Sequence, residues 1–241
     1  MTPDLKISLV IPAHNEEKRI GECLDRAMKN SGGRFFEIIV IDNASTDRTA
    51  EIAGRMPGVR VVREENKGLT HARERGFKEA RGDILAYIDA DTLMPSGWIG
   101  RVMGEFARDS DTVCVSGPYH YYDIPRAEQF LNKLYWLFIA KPMYWIVGYM
   151  AVGGNFAIKK ETLQKMGGFD TTIAFYGEDT NIARRASRFG KVKFKLHVIM
   201  NTSGRRFRGQ GLWSTAFTYM INFASEAFLH KPSTREYRDI R

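Results

Sequence analysis

The sequence predicts an α/β domain with a mostly parallel central sheet and helices on both faces, and three observations point to it. Short β-branched runs alternate with segments of helical periodicity through the first half of the chain, the pattern of strands joined by crossover helices. The chain's 241 residues, 44% hydrophobic and 27% charged, suffice for one core of good size. Three of the strand-like runs end in polar clusters, and ligands of open α/β sheets bind beyond the carboxyl ends of the strands.

The strands of the first half are KISLVI (6–11), EIIVID (37–42), VRVVR (59–63) and ILAYID (84–89). Ile20, Cys23, Leu24, Ala27 and Met28 form one helical stripe, and Leu69, Ala72, Gly76, Phe77 and Ala80 another. Ser45-Thr46-Asp47 reads as the start of a further helix. In the second half a helix begins near Pro95, burying Trp98, Ile99, Val102, Met103 and Phe106, and TVCVS (112–116) is the next strand. GGNFAI (153–158), a short helix around Glu161 to Met166, a helix entered at Glu178-Asp179, the strand VKFKL (192–196) and a C-terminal amphipathic helix complete the order. There is no internal repeat and no low-complexity segment.

Net charge is +8, with basic residues gathered late at Arg184, Arg185, Arg188, Lys191, Lys193, Lys195, Arg205, Arg206 and Arg208. Such a bias suits nucleic acid, an anionic membrane or a polyphosphate ligand, or is simply a solvated face. Cys23 and Cys114 lie in apolar patterns without metal-ligand spacing, which reads as two reduced core thiols in a cytoplasmic protein. The first apolar run, ISLVI, is too short for a secretory leader and ends in Pro12. Residues 127–150 are rich in aromatics, including Trp136, Phe138, Tyr144, Trp145 and Tyr149, but Lys141-Pro142 interrupts them. That run is too broken to span a bilayer. It reads as core, as a homodimer interface, or as a peripheral contact with the cytoplasmic face of a membrane.

The strand ends carry the chemistry. Pro12-Ala13-His14-Asn15-Glu16-Glu17 follows the first strand, Asp42-Asn43-Ala44-Ser45-Thr46-Asp47 the second, and Asp89-Ala90-Asp91 the fourth. No GxGxxG follows the first strand, so a dinucleotide-binding phosphate loop is missing. Two carboxylates at i and i+2 repel each other unless a cation neutralises them. Hard oxygen ligands of this kind suit Mn²⁺ or Mg²⁺, which also take phosphate oxygens. A structural alternative has Asp91 capping the turn and Asp89 merely ending the strand. IDADTL also matches the DxDx[TV] of haloacid dehalogenase-type phosphatases, with Asp89 as nucleophile and Asp91 as acid/base. There the motif follows the first core strand, whereas three strand-like runs precede it here, and no late acidic pair completes the magnesium site. A nucleic-acid-binding protein would explain the charge but not acids at three strand ends.

In order, PAHNEE, DNASTD, NKGLTHARERG, GDILAYIDAD, GGNFAI and GED resemble the family 2 glycosyltransferases over about residues 5 to 210. The resemblance implies a GT-A fold: a Rossmann-like, mostly parallel sheet with helices on both faces and a smaller acceptor-side subregion. It implies transfer of a sugar from a nucleotide-diphosphate donor, UDP-sugar favoured, to a hydroxyl acceptor, metal-dependent, with inversion. Residues 1–115 would form the nucleotide-sugar half, 116–210 the acceptor and catalytic half, and 211–241 a C-terminal helix and tail. By the same resemblance Pro12, Ala13, Asn15, Glu16, Asp42, Lys67, Arg73, Asp89 and Ala90 line the nucleotide. Asp91 with Asp89 holds Mn²⁺ or Mg²⁺, and Gly154, Asn155 and Glu178 lie at the acceptor and donor sugar. Asp179, the second acid of the ED pair, is the general base that deprotonates the attacking hydroxyl. Arg205 and Arg206 are candidates to reach the diphosphate.

Two departures from the family pattern matter. Processive members carry QxxRW after the ED pair, whereas Ser203-Gly204-Arg205-Arg206-Phe207 stands here, so a single transfer is expected. Some members place a histidine metal ligand near Asn201 or Thr202, and His197 falls too early on its strand to serve. The acceptor reading that follows is a lipid-linked or cell-envelope glycan.

Overall fold

A computed structural model describes residues 5–229 with the exception of residue 174. Seven strands form the central sheet: β1 (Ile7–Ala13), β2 (Glu37–Asn43), β3 (Val59–Glu64), β4 (Ile84–Ile88), β6 (Thr112–Ser116), β8 (Asn155–Lys159) and β9 (Lys191–Phe194). Their order is β3-β2-β1-β4-β8-β6-β9. The first four strands run parallel, and β8 is inserted antiparallel between β4 and β6. This is the mostly parallel α/β sheet that the sequence predicts, with one reversed strand.

The crossover helices α1 (Ile20–Ser31), α2 (Thr49–Gly54), α3 (Leu69–Glu79) and α4 (Trp98–Arg108) cover the two faces. One core layer joins α1 and α4 to β1 and β4 through Ile20, Leu24, Leu9, Ile84, Trp98 and Val102. The other face packs Val10, Ile41, Tyr87, Phe156 and Ile182. At Gly76 in α3 a Cβ would stand 2.3 Å from Val10 Cγ1. The missing side chain lets the helix close onto β1.

Two helices start later than the sequence suggests. Asn15 N–H donates to Ser45 Oγ and Thr46 N–H to Asn15 Oδ1, so this polar stretch ties the β1 and β2 ends together and α2 begins at Thr49. Asp47 Oδ1 accepts from the Thr49 amide at 2.9 Å, which stabilises that first turn. Pro95 precedes the first turn of α4 rather than opening it, and its carbonyl accepts from Trp98 N–H.

A second, three-stranded sheet lies beyond the carboxyl end of β4. It comprises β5 (Thr92–Leu93), β7 (Tyr119–Tyr121) and β10 (Met200–Thr202), in the order β5-β10-β7. The remaining helices are α5 (Arg126–Tyr135), α6 (Lys141–Val147), α7 (Lys160–Met166), α8 (Glu178–Ala186), α9 (Arg205–Gln210) and α10 (Leu212–Leu229). A π-helical turn at Trp136–Ala140 joins α5 to α6. The expected tail beyond residue 229 lies outside the described residues.

The late basic stretch is partly spent within the fold. Glu105, buried on α4, has Lys193 and Lys195 each at 3.6 Å, Arg108 at 3.0 Å and His197 at 3.4 Å. Lys191 pairs with Asp109, and Arg184 pairs with the buried Glu226 of α10 at 3.0 Å. Part of this stretch is thus engaged in ion pairs, while the Lys191 and Lys195 side chains remain 59% and 38% exposed.

The aromatic run is core on one side only: Tyr135, Trp136, Met143 and Tyr144 pack against buried Ala140, Met150, Val152 and Phe194, whereas other members face outward. Phe138 and Trp145 are each 67% exposed and Ile146 is 72% exposed. Phe130, Leu131 and Leu137 are exposed as well, so an apolar stripe follows one side of the α5–α6 segment. Trp136 alone among the tryptophans of the run turns inward, stacking on Phe194 and donating from Nε1 to the Tyr119 carbonyl at 3.1 Å. Among the described residues no helix is long and apolar enough to cross a membrane.

Candidate active site

The ends of β1, β2 and β4 lie side by side, because Ala13 pairs with Asp42 across one ladder and β4 flanks β1 on the other side. Pro12 and Ala13 are buried in β1, and Asn15 turns the chain with φ 52°. Asp42 is 1% exposed, with Oδ2 held by Arg63 at 2.5 Å. Its Oδ1 has no hydrogen-bond partner in the structure. A buried acceptor in that state calls for a donor, and a nucleobase N–H is one. Lys67 is exposed on the loop leading to α3, where Asn43 Oδ1 accepts from Gly68 N–H at 2.8 Å.

Asp89 and Asp91 leave β4 with buried Ala90 between them. Tyr119 donates its hydroxyl to Asp89 Oδ2 at 2.9 Å, and Arg73 stands 3.7 Å from Oδ1. Asp91 is buried, with Arg205 Nε at 3.2 Å from Oδ2 and Thr202 Oγ1 at 3.4 Å from Oδ1. Burial pushes the Asp91 carboxyl up to about 7; Arg205 opposes the rise, while Asp89 and Glu16 add to it. Arg205 also grips Glu16 with both terminal nitrogens, at 3.0 and 2.5 Å. Three carboxylates thus crowd one strand edge, and a guanidinium already occupies part of their field.

Among the described residues no three His, Cys, Asp or Glu side chains converge as a metal cage. Two hard carboxylates on one turn fit a Mn²⁺ or Mg²⁺ ion that also takes oxygens from a phosphate ligand. The cation at Asp91 and Glu16 in this structure, Arg205, shows that the edge accommodates positive charge.

Arg73, expected near the nucleotide, is 1% exposed, donating to Glu178 Oε2 and, at 2.6 Å, to the Gly153 carbonyl. It packs 5.6 Å from the Phe156 ring centroid. It links Asp89 to Glu178, and so to its neighbour Asp179. Burial pushes Glu178 up to about 8 against the pull of that guanidinium. Asp179, half-buried on the first turn of α8, accepts from the Thr180 amide at 2.8 Å. Burial raises its carboxyl above the usual aspartate range, while the Thr180 amide and Arg73 oppose the rise.

Asn155 is a correction. The sequence reading places it at the sugar, but its side chain turns into the core, where Oδ1 accepts from Trp98 Nε1 at 2.9 Å. Nδ2 lies 2.7, 2.9 and 3.2 Å from the Val198, Gly117 and Pro118 carbonyls. Both amide hydrogens are committed and the side chain is fully buried, so a ligand cannot reach it. What Asn155 fixes is Gly154, where a Cβ would come within 2.1 Å of Asp89 Oδ2 and 2.2 Å of the Tyr119 hydroxyl. Arg206 lies over the Phe175 ring at 4.6 Å.

Sequence reasoning missed Tyr119, Tyr122 and Thr202. The small sheet supplies a partner to each acid of the pair, Tyr119 to Asp89 and Thr202 to Asp91, and the Tyr122 hydroxyl, just past β7, donates to the Asp91 backbone carbonyl at 3.3 Å. The signal was the Tyr119-His120-Tyr121-Tyr122 run directly after a strand.

Comparison with known proteins bears on the fold and the family. The dolichol-phosphate mannosyltransferase of Pyrococcus furiosus is 35% identical over 111 residues, 44% of this chain and 32% of that protein. The undecaprenyl-phosphate 4-deoxy-4-formamido-L-arabinose transferase of Pseudomonas paraeruginosa is 38% identical over 115 residues, 44% of this chain and 34% of that protein. The chain thus spans about a third of the length of these curated relatives. Among solved structures, the mannosyltransferase PcManGT of Pyrobaculum calidifontis, in complex with GDP-Man and Mn²⁺, superposes with a TM-score of 0.72 at 24% identity. The match covers 95% of this chain and 64% of that one. Glucosyl-3-phosphoglycerate synthase of Mycobacterium tuberculosis, bound to Mn²⁺, UDP-glucose and phosphoglyceric acid, gives 0.66 at 22% identity, covering 92% of this chain and 80% of that one. These likenesses show the GT-A fold. The family model described as Glycosyl transferase family 2 matches residues 8–167, more than half of the sequence, and the chain belongs to that family.

Proposed function

We propose that this glycosyltransferase moves a sugar from a nucleotide-diphosphate donor, UDP-sugar favoured, to a lipid-linked acceptor, with inversion and one transfer per encounter. The observation that carries the reading is the buried Arg73, which ties Asp89 on the donor side to Glu178 on the acceptor side and so sets Asp179 across the cleft from the strand ends. Asp42 offers its unpartnered oxygen to the imide N–H of uracil, while Asn15 and Glu16 shape the loop over the base. Asp89 and Asp91 hold Mn²⁺ or Mg²⁺ together with the diphosphate. When bound, such an ion neutralises the charge that builds on the departing diphosphate. Arg205, already at Asp91 and Glu16, would pair with diphosphate oxygens, with Arg206 as the second candidate.

Asp179 takes the proton from the acceptor hydroxyl as it attacks. Its raised proton affinity suits that task, since a base works best when its pKa approaches the working pH. Arg73 keeps Glu178 fixed, so the first turn of α8 presents Asp179 in one orientation. Absence of QxxRW at 203–207 supports a single transfer rather than polymerisation.

The lipid-linked acceptor is supported by the activities of the two relatives, a dolichol-phosphate and an undecaprenyl-phosphate transferase, and by the exposed stripe on α5–α6. Leu137, Phe138, Trp145 and Ile146, with Lys133 and Lys141 beside them, suit the boundary of an anionic membrane, where amphipathic rings and lysine stems partition. That segment runs directly into the loop carrying Gly153 and Gly154. Contact there would be peripheral and reversible.

A thermal-shift panel of nucleoside diphosphates with and without Mn²⁺ tests the donor half of the proposal. Ligands of the native state raise the melting temperature by mass action. UDP with Mn²⁺ should give the largest shift; equal shifts without the metal would refute metal-dependent donor binding.

A further inference from the structure

Arg205 does more than stand near a phosphate site. It opens α9 immediately after β10, and the loop before it is clamped: Asp123 accepts from Ser203 Oγ at 2.7 Å and from Gly204 N–H at 2.5 Å. That clamp aims one guanidinium at two acids from distant parts of the chain. Both Nη atoms bind Glu16, and Nε lies 3.2 Å from Asp91 Oδ2. The side chain is only 22% exposed, with Glu16 5% and Asp91 9%. Three charges so far out of water attract strongly, and removing the central cation would leave two buried carboxylates without compensation.

We infer that Arg205 is the resident counter-ion of the carboxylate edge and exchanges places with the metal–nucleotide at Asp91. This rests on the reading that Asp91 holds the metal. A divalent ion approaching Asp91 by itself must displace a guanidinium that Glu16 also holds, so the edge resists free metal. A metal that arrives with a diphosphate brings anionic oxygens, and Arg205 can leave Asp91 for those oxygens while keeping one charge-assisted pair at all times. The exchange makes metal and nucleotide bind together rather than in succession. It also explains why Arg205 bridges the base loop and the acidic pair: one side chain reads whether the nucleotide site is filled.

The test is Mn²⁺ titration without any nucleotide, followed by electron paramagnetic resonance or calorimetry, on the wild type, Arg205→Met and Arg205→Lys. Circular dichroism and melting confirm that each variant is folded. Arg205→Met should bind Mn²⁺ alone about tenfold more tightly or better, because the acids lose their internal cation. Arg205→Lys keeps the charge but cannot span both acids, so it should fall between the two. With UDP and Mn²⁺ present the order should invert, the wild type binding best. Equal or weaker Mn²⁺ affinity in Arg205→Met, or in Arg205→Lys should the first variant not fold, overturns the inference. Failure of the functional reading is separate: there, the wild type would not bind UDP with Mn²⁺ at all.

Discussion

Asn155→Ala isolates the role of a residue that sequence and structure place differently. The substitution removes an amide that is fully buried against the equally buried Trp98. It leaves the indole N–H without its acceptor at 2.9 Å and the Gly117 and Val198 carbonyls without their side-chain donor, while the Pro118 carbonyl still accepts from Met200 N–H. The amide has only two N–H groups, so the 3.2 Å contact to Pro118 is the shared and weaker one. A buried polar group stripped of its partner costs about 1–3 kcal/mol. Taking the low end for three groups gives a loss of roughly 3 kcal/mol. For a chain of this size each kcal/mol lowers the melting temperature by about 2–4 °C, so the fall should be roughly 6–12 °C. Thermal melting, with urea unfolding to confirm an unchanged slope, measures it. Lys67→Ala, at an exposed loop position, is the control and should stay within about 0.5 kcal/mol. If Asn155→Ala melts within about 2 °C of the wild type and instead raises KM for the donor, its side chain touches the sugar and the structural assignment is wrong.

Asp179→Asn is nearly isosteric but cannot take a proton, so kcat should fall by about 10²–10⁴ while donor affinity by calorimetry stays unchanged. Turnover near the wild-type value would assign the base to another group. The pH dependence of kcat carries a sign: the base must be deprotonated, and burial raises the Asp179 carboxyl. Activity should therefore fall on acidification with a midpoint above the ordinary aspartate value of about 3.9; a midpoint at or below that value refutes the assignment. Asp91→Ala should erase stabilisation by UDP with Mn²⁺ yet barely alter the melting temperature of the protein alone, since burial already disfavours this charge. Phe138→Ser with Trp145→Ser should abolish flotation with anionic liposomes without changing donor binding. An unchanged flotation, or a monomer–dimer shift in its place, would reassign the stripe to another contact or to a second copy of the chain.

What the sequence made legible was local. Strands announce themselves by β-branched runs, and a strand that ends in Asp89-Ala90-Asp91 or Pro12-Ala13-His14 advertises its polar terminus within a few residues. The sheet's direction follows from the crossovers, because parallel strands need helices between them. Even the error at Ser45-Thr46-Asp47 was one of local signals: hydroxyls and carboxylates that cap helices also bond loops, and here Asn15 competes for them.

The unread part is where side chains meet across the chain. Glu16 and Arg205 are separated by 189 positions, Arg73 and Glu178 by 105, and Trp98 and Asn155 by 57. No periodicity links such pairs, so a motif reveals that Arg73 matters without revealing that it is buried between Asp89 and Glu178. The basic stretch shows the same limit. Lys191, Lys193 and Lys195 alternate along one strand, a spacing that sends them to one face, but only the position of α4 reveals Glu105 waiting on that face. Counting those lysines as paired changes the membrane argument. On the proposed peripheral contact, the exposed aromatic stripe with its flanking Lys133 and Lys141 carries an apolar share of the attraction, so flotation should persist at moderate salt more than a purely electrostatic contact would, since screening acts on exposed charges and not on buried apolar area.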